Sequence, residues 1–123
     1  MAHNFRELEV WKQAMALSKQ VYLITKQFPP EEKFGITSQI QRAAVSIASN
    51  IAEGAGRGTN KDFTHFLNIA LGSAFELETQ ILLSNELNYI DENVMKSIMT
   101  NLHAIQPKLN SLIKKYGDFE IEK

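Results

Sequence analysis

Residues 34–56, FGITSQIQRAAVSIASNIAEGAG, decide the fold class of this protein. Apolar side chains recur in this stretch at intervals of three and four, at Ile40, Ala44, Ile47 and Ile51. Such intervals place side chains on one face of an α-helix, whereas a half-buried strand alternates with a period of two. The stretch therefore predicts an amphipathic helix.

Three further segments of the 123-residue chain show the same helical spacing. Proline and glycine at residues 28–35, glycines at residues 54–58 and the turn-forming residues 88–91 separate the four segments. Short connections between helices of this length favour an all-α fold, an up-and-down antiparallel four-helix bundle. We predict one domain over residues 1–123, with an ordered core of about 5–117 and a frayed tail at residues 118–123.

The predicted helix starts carry capping residues. Thr59 is followed three residues later by Asp62, close to a capping box, and Asp91 is a favourable N-cap for the fourth helix. At the other ends, Gly54 and Gly117 are expected to adopt the left-handed conformation that terminates many helices. Pro107 interrupts the fourth pattern without changing its phase, which predicts a kink and not a break.

The composition excludes several classes of protein. Thirteen Lys and Arg against 14 Asp and Glu give a net charge of −1, so bulk basicity does not indicate nucleic-acid binding. The chain has no cysteine, which excludes disulfides and thiolate chemistry. No long apolar run occurs and the first residues are charged, so we expect a cytoplasmic protein without membrane association.

The second and third helices carry too little charge for a bundle whose helices each face water. Arg42 and Glu53 are the only charged residues between Phe34 and Gly56, and residues 63–75 contain none. Apolar surface beyond one core is typical of a protein that has a partner, which predicts self-association. The alternative is a monomer with an unusually apolar surface.

The polar residues of these two helices form stripes. On the second helix they step by three and four, and three residues of the third helix follow the same rule. We predict a structural polar network that sets helix register or assembly, with Arg42 paired to Glu76 and Asn50 facing Gln80. The network comprises Gln39, Arg42, Ser46, Asn50, Glu53, Ser73, Glu76 and Gln80. A ligand-binding or catalytic site is the alternative interpretation of the same residues.

Lysines repeat every seven residues on the first helix. Lys12, Lys19 and Lys26 make one slowly drifting stripe, because seven residues fall about 20° short of two helical turns. The stripe is either a solvated outer face or a surface that contacts phosphates, to which Arg57 and Lys61 add charge.

Sequence patterns that are typical of enzymes are incomplete or absent in this chain. The glycine-rich loop at residues 54–61 lacks the lysine and hydroxyl ending of a P-loop and follows a helix. The Glu-x-x-His units of a di-iron bundle do not occur, and His3, His65 and His103 share no ligand spacing. Glu53 and Glu76 would suit an acid–base pair but have a structural role available. We therefore predict no catalytic residue, metal or cofactor.

Nearly the whole chain, from about Phe5 to Tyr116, resembles a known bacterial family. These are the four-helix-bundle proteins encoded in intervening sequences of 23S ribosomal RNA genes. The resemblance rests on residues 8–11, 28–57 and 63–80. The matching positions are Phe28-Pro29, Glu32, Gln39, Arg42-Ala43, Ser46-Ile47, Asn50-Ile51, Glu53-Gly54, Arg57, Gly72-Ser73, Glu76 and Gln80.

The resemblance implies a bundle of unassigned biochemical role. A relative of the family, the accessory protein of diversity-generating retroelements, is a five-membered ring that partners a reverse transcriptase and binds nucleic acid through a basic surface. The resemblance thus implies a homopentamer and lends weight to RNA or DNA binding, although this chain departs from that relative in being slightly acidic.

Two functional hypotheses follow. The first is a non-enzymatic, homo-oligomeric scaffold that associates with RNA through the lysine stripe. The second is an adaptor that recruits another polypeptide through its apolar helix faces without nucleic acid.

Overall fold

The computed structural model describes residues 2–121, with side chains described for residues 2–117. Its helices are α1 (Glu9–Thr25), α2 (Ile36–Ala55), α3 (Asn60–Glu86) and α4 (Glu92–Ile121), with one-turn 3₁₀ helices at Phe5–Glu7 and Pro30–Glu32. Each helix packs against the next along the chain, and α1 also packs against α4. The described residues contain no strand, so the predicted all-α, four-helix fold is confirmed.

The predicted apolar faces form the core. The four positions that defined the second helix are completely buried, and so are Ile98, Leu102, Ile105 and Leu109 of α4. Val94, Leu112 and Tyr116 pack against the edge of this core and are partly buried. None of the described helices is both long enough and apolar enough to cross a membrane.

Both predicted N-caps are present. The Thr59 hydroxyl accepts a hydrogen bond from the backbone N–H of Asp62 at 3.1 Å, at the start of α3. The carboxylate of Asp91 accepts one from the backbone N–H of Val94 at 2.8 Å, at the start of α4. Each cap satisfies a donor that the first turn of a helix leaves without a partner.

The prediction for the glycines at the helix ends is wrong. Within the described residues no glycine has a positive φ, and Gly54 and Gly117 both lie inside helices. Gly54 is needed because α3 approaches closely: a Cβ there would lie 2.8 Å from Cβ of Phe66. Asn88, with a φ of 64°, takes the left-handed conformation in the turn between α3 and α4, where asparagine is tolerated.

Helix α4 continues through Pro107, as its uninterrupted apolar pattern predicted. The absence of a break is confirmed, and the kink stays a prediction. The predicted frayed tail is residues 118–123. The backbone of residues 118–121 continues α4, while their side chains and residues 122–123 lie outside what the structure describes, so fraying stays a prediction.

The connections between α1 and α2 and between α3 and α4 are joined at one end of the bundle. Tyr89 donates its hydroxyl to Glu32 at 2.8 Å, and its ring lies 5.3 Å from that of Phe28. The second carboxylate oxygen of Glu32 accepts from the backbone N–H of Ile36 at 3.4 Å. The hydrogen bond to Glu32 also raises the pKa of Tyr89. This contact gives the Pro-Pro-Glu-Glu segment a structural role.

Glu78 links α3 to α4 and makes stability depend on pH. Gln106 donates to one carboxylate oxygen at 2.8 Å, and His103 lies 3.3 Å from the other. The hydrogen bond from Gln106, and then the contacts with His103, lower the pKa of Glu78 below its ordinary value of 4.5. Because the folded pKa is lowered, the stabilisation is present above the unfolded value and is lost as the pH falls through the folded one.

We expect Glu78→Gln to lower the free energy of unfolding at pH 7 by less than about 1 kcal/mol, since the site is near the surface. Urea unfolding at several values of pH would test this. The difference from the wild type should shrink as the pH falls below 4.5, where the carboxyl group of the wild type is increasingly neutral. Glu31→Gln, at an exposed position without an ion pair in the described chain, is the control and should show no such dependence. A constant difference at every pH would contradict the prediction.

Candidate interaction surface

The outer surface of α3 is the most apolar part of the exterior. Four large apolar side chains of this helix, and that of Leu87 at its C-cap, are between 40% and 50% exposed; the four are Ile69, Phe75, Leu82 and Leu83. After the first turn, the only charged residues of α3 are Glu76, Glu78 and Glu86. A helix on a monomer surface normally presents a charged face to water, so this surface has the character of an interface.

Other exposed apolar side chains lie on α1, on α2 and in the connection between them. Met15, Tyr22 and Leu23 of α1 are about half exposed, Val45 of α2 is 41% exposed and Phe34 is 90% exposed. Helix α4 contributes no large apolar side chain to this exposed set within its described side chains. The apolar exterior is therefore concentrated on α1, α2 and α3.

The centre of the predicted polar network is present between α2 and α3. The hydroxyls of Ser46 and Ser73 share a hydrogen bond of 2.8 Å. Asn50 donates to the backbone carbonyl of Ser46 at 2.8 Å and to its hydroxyl at 2.9 Å. Of these bonds, only that between Ser46 and Ser73 joins the two antiparallel helices, and Asn50 holds the Ser46 hydroxyl from within α2.

Arg42 and Glu76 lie next to this centre but are not paired. Both are exposed, and they line one surface pocket of about 300 Å³ together with Gln39, Ala43 and Ser46. No ion pair joins them in the described chain. In the single protomer the exposed guanidinium of Arg42 is therefore solvated by water and not held by Glu76.

In the described chain, the remaining residues of the predicted network do not bond to one another across the two helices. Glu53 pairs with Arg57 at 2.7 Å on the surface. Asn50 does not bond Gln80, because in antiparallel helices the two residues lie on opposite sides of the Ser46–Ser73 contact. Gln80 is 8% exposed and its buried Oε1 has no hydrogen-bond partner. The network as a whole stays a prediction for an assembled state.

The candidate phosphate-contacting residues are all on the surface. Lys12, Lys19 and Lys26 are exposed along α1, Lys61 is exposed in the first turn of α3, and none of the four forms an ion pair within the described chain. Arg57 differs from them, because it is paired with Glu53 and its guanidinium lies 5.0 Å from the centre of the Phe66 ring.

Sequence reasoning did not single out an apolar pocket beside Pro107. This pocket of about 350 Å³ lies between the start of α1 and the second half of α4 and is lined by Leu8, Glu9, Val10, Pro107, Lys108, Ser111 and Leu112. It also did not single out Phe34, whose exposure depends on the path of the connecting loop. The described residues contain no group of three or more His, Cys, Asp or Glu that could hold a metal ion.

The fold and these surfaces define a helical-bundle protein with an apolar exterior on three helices. Residues 6–111 match the family described as 23S rRNA-intervening sequence protein, and the chain belongs to that family. Among solved structures, it is similar to a protein of unknown function from the S23 ribosomal protein family of Bacteroides thetaiotaomicron VPI-5482. That similarity has 31% identity and a TM-score of 0.80, covering 85% of this chain and 98% of the other. The comparison with curated proteins gave no match.

Proposed function

We propose that this protein is a cytoplasmic, non-enzymatic scaffold that assembles with further copies of itself. The outer surface of α3 carries the proposal, because four half-exposed large apolar side chains of this helix and that of Leu87 at its C-cap give it the apolar character that is typical of an interface. Arg42 and Glu76 beside it form no ion pair within the part of the chain that the structure describes, so they can interact with an incoming chain.

The stoichiometry that we propose is a closed homopentamer. This number comes from the ring that the family resemblance implies. Closed cyclic assembly also suits a protomer whose exposed apolar residues lie on different helices, since a ring uses two different surfaces of each copy.

The mass of the purified chain in solution tests the proposal. Light scattering behind size-exclusion chromatography and native mass spectrometry should give a multiple of 13.9 kDa, with the fivefold species predominant. A monomeric mass at every concentration would contradict self-association. A monomer that binds another polypeptide through the α3 surface would instead support the adaptor hypothesis.

We also propose that the scaffold associates with RNA through its exposed cations. The supporting observation is that Lys12, Lys19, Lys26 and Lys61 have no acidic partner within the described chain. Arg57 would join them only by sharing its guanidinium with Glu53. In an oligomer the cations of every copy add to one field, although each chain is nearly neutral.

We expect binding to a structured RNA to weaken steeply as salt is raised, because each phosphate contact releases condensed counterions. Fluorescence anisotropy would measure it. Lys12→Glu with Lys61→Glu should reduce both the affinity and its dependence on salt. Lys96→Glu with Lys108→Glu makes the same change of charge at two exposed lysines of α4 and is the matched control. Absence of binding at low salt, or equal effects of the two changes, would contradict the assignment of these cations.

A further inference from the structure

We infer that the copies join through two different surfaces, with α1 of one copy seated on the surface between α2 and α3 of the next. This inference rests on the self-association proposed above and names the contact that makes it. The α1 surface comprises Met15, Lys19, Tyr22 and Lys26. The α2/α3 surface comprises Ile69, Glu76, Leu83 and the pocket that Arg42 and Glu76 line.

The charges of the two surfaces are complementary. After Glu9, the charged residues of α1 and its C-cap are the three lysines of the stripe. After its first turn, α3 carries only acidic charges. Contact between two α3 surfaces would bring acid against acid, and contact between two α1 surfaces would bring lysine against lysine. Contact of the α1 lysines with the acidic charges of α3 brings opposite charges together, whereas like-charge juxtaposition at an interface is strongly unfavourable. Arg42 is the one cation of the α2/α3 surface as defined above, and the ring of Tyr22, not a lysine, would lie against it.

The two surfaces also lie at the same height along the bundle. Ser18 of α1 donates to the backbone carbonyl of Ala44 in α2 at 3.1 Å, and Ser46 of α2 contacts Ser73 of α3 at 2.8 Å. With a rise of about 1.5 Å per residue, these contacts place Lys19 and Glu76 within about one helical turn of the same height. In a ring whose axis runs along the bundle, symmetry keeps every residue at its own height, so these residues of adjacent copies meet.

Both surfaces lie on the sides of their helices that are nearest α2, which favours assembly into a closed ring. Met15 and Tyr22 lie three and four residues from Ser18, which contacts α2, and therefore share its side of α1. On α3, Ile69 and Glu76 lie four and three residues from Ser73, which also contacts α2, so they too are on the side of their helix that faces α2. The two surfaces are thus not on opposite sides of the bundle, and copies joined through them turn consistently in one direction. Such a head-to-tail contact closes into a ring when the rotation fits.

Tyr22 suits the pocket on the neighbouring copy. Its side chain is 45% exposed, and its height matches that of the pocket between α2 and α3. The lining mixes the Ala43 methyl group with polar groups of Gln39, Arg42, Ser46 and Glu76, which fits an aromatic ring with a polar tip. The phenol hydroxyl would donate to the Glu76 carboxylate, and the Arg42 guanidinium would lie against the ring.

This contact divides the lysine stripe between two roles. Lys19 and Lys26 face the neighbouring copy, and Glu76 and Glu86 are the acidic residues of its α3 that lie nearest to them in height. Lys12 and Lys61 lie nearer the opposite end of the bundle and remain available to RNA. The RNA test above uses Lys12 and Lys61 for this reason, so that it does not disturb the contact between copies.

Charge reversal tests the contact. Lys19→Glu and Glu76→Lys should each weaken association by at least about tenfold, because each places like charges against one another. Sedimentation equilibrium would measure the dissociation constants, with circular dichroism to verify the helix content. Lys96→Glu and Glu92→Lys make the same charge changes at exposed positions of α4 and should leave the mass unchanged.

The exchanged pair provides the decisive result. A chain carrying both Lys19→Glu and Glu76→Lys should regain most of the lost association, because every contact of the ring then again joins unlike charges. Tyr22→Ala should also weaken association, and the dissociation constant of Tyr22→Phe should lie between those of the wild type and Tyr22→Ala. If the wild type is oligomeric but the single variants keep its mass, or the exchange does not restore it, the inference is wrong and the proposed function stands. A monomeric wild type would instead overturn the proposed function.

Discussion

Phe63→Ala is expected to lower the free energy of unfolding by about 3–5 kcal/mol. Phe63 is 1% exposed and lies in the first turns of α3, where its ring packs 4.7 Å from that of His3 and 5.1 Å from that of Tyr116. Truncation removes the apolar area of a whole ring and leaves a cavity at the end of the bundle. The truncation also loosens the N-terminal segment, which is held there by a hydrogen bond from the backbone N–H of His3 to the backbone carbonyl of Ala55.

Urea unfolding at one fixed protein concentration would measure this loss. The midpoint should fall while the slope stays the same, if the variant unfolds from the same compact state. Phe34→Ala is the matched control, because Phe34 is 90% exposed and its loss should change the stability of the protomer by no more than about 0.5 kcal/mol. Equal losses for the two variants would show that the end of the bundle is not packed as described.

Gly54→Ala is expected to destabilise the protein by about 1–3 kcal/mol. The added Cβ would meet Cβ of Phe66 at 2.8 Å and the backbone oxygen of Phe63 at 3.2 Å. Neither atom is the far end of a flexible side chain, so α2 and α3 must move apart. This cost exceeds the gain of about 0.5–1 kcal/mol that alanine ordinarily brings over glycine inside a helix.

The same substitution at another helical glycine provides the control. Gly72 lies on the outer surface of α3, and a Cβ there would meet nothing within 4 Å. Gly72→Ala should therefore stabilise the protein by about 0.4–1 kcal/mol, mainly by restricting the unfolded chain. Thermal or urea unfolding of the two variants should give changes of opposite sign. A stabilising Gly54→Ala would refute the close approach of the two helices.

The candidate interface was predictable only in part. The shortage of charge on α2 and α3 pointed to apolar surface, and the structure shows it as exposed side chains such as Phe75 and Leu83. The pairing of Arg42 with Glu76, which their spacing suggested, does not occur in the described chain. A periodic pattern gives the face of a residue on its own helix, but whether two helices bring their polar residues within bonding distance depends on how each is rotated and shifted against the other.

The four helices, their apolar faces and the N-caps at Thr59 and Asp91 could be predicted from the order of the amino acids alone. These features arise from interactions among residues three or four apart, so they can be predicted from residues that are close together in the sequence. The role of Gly54 in close helix packing and the exposure of Arg42 and Tyr22 became visible only in the packed bundle. Those outcomes depend on the separation and rotation of helices distant in sequence, which the packing of the whole core sets.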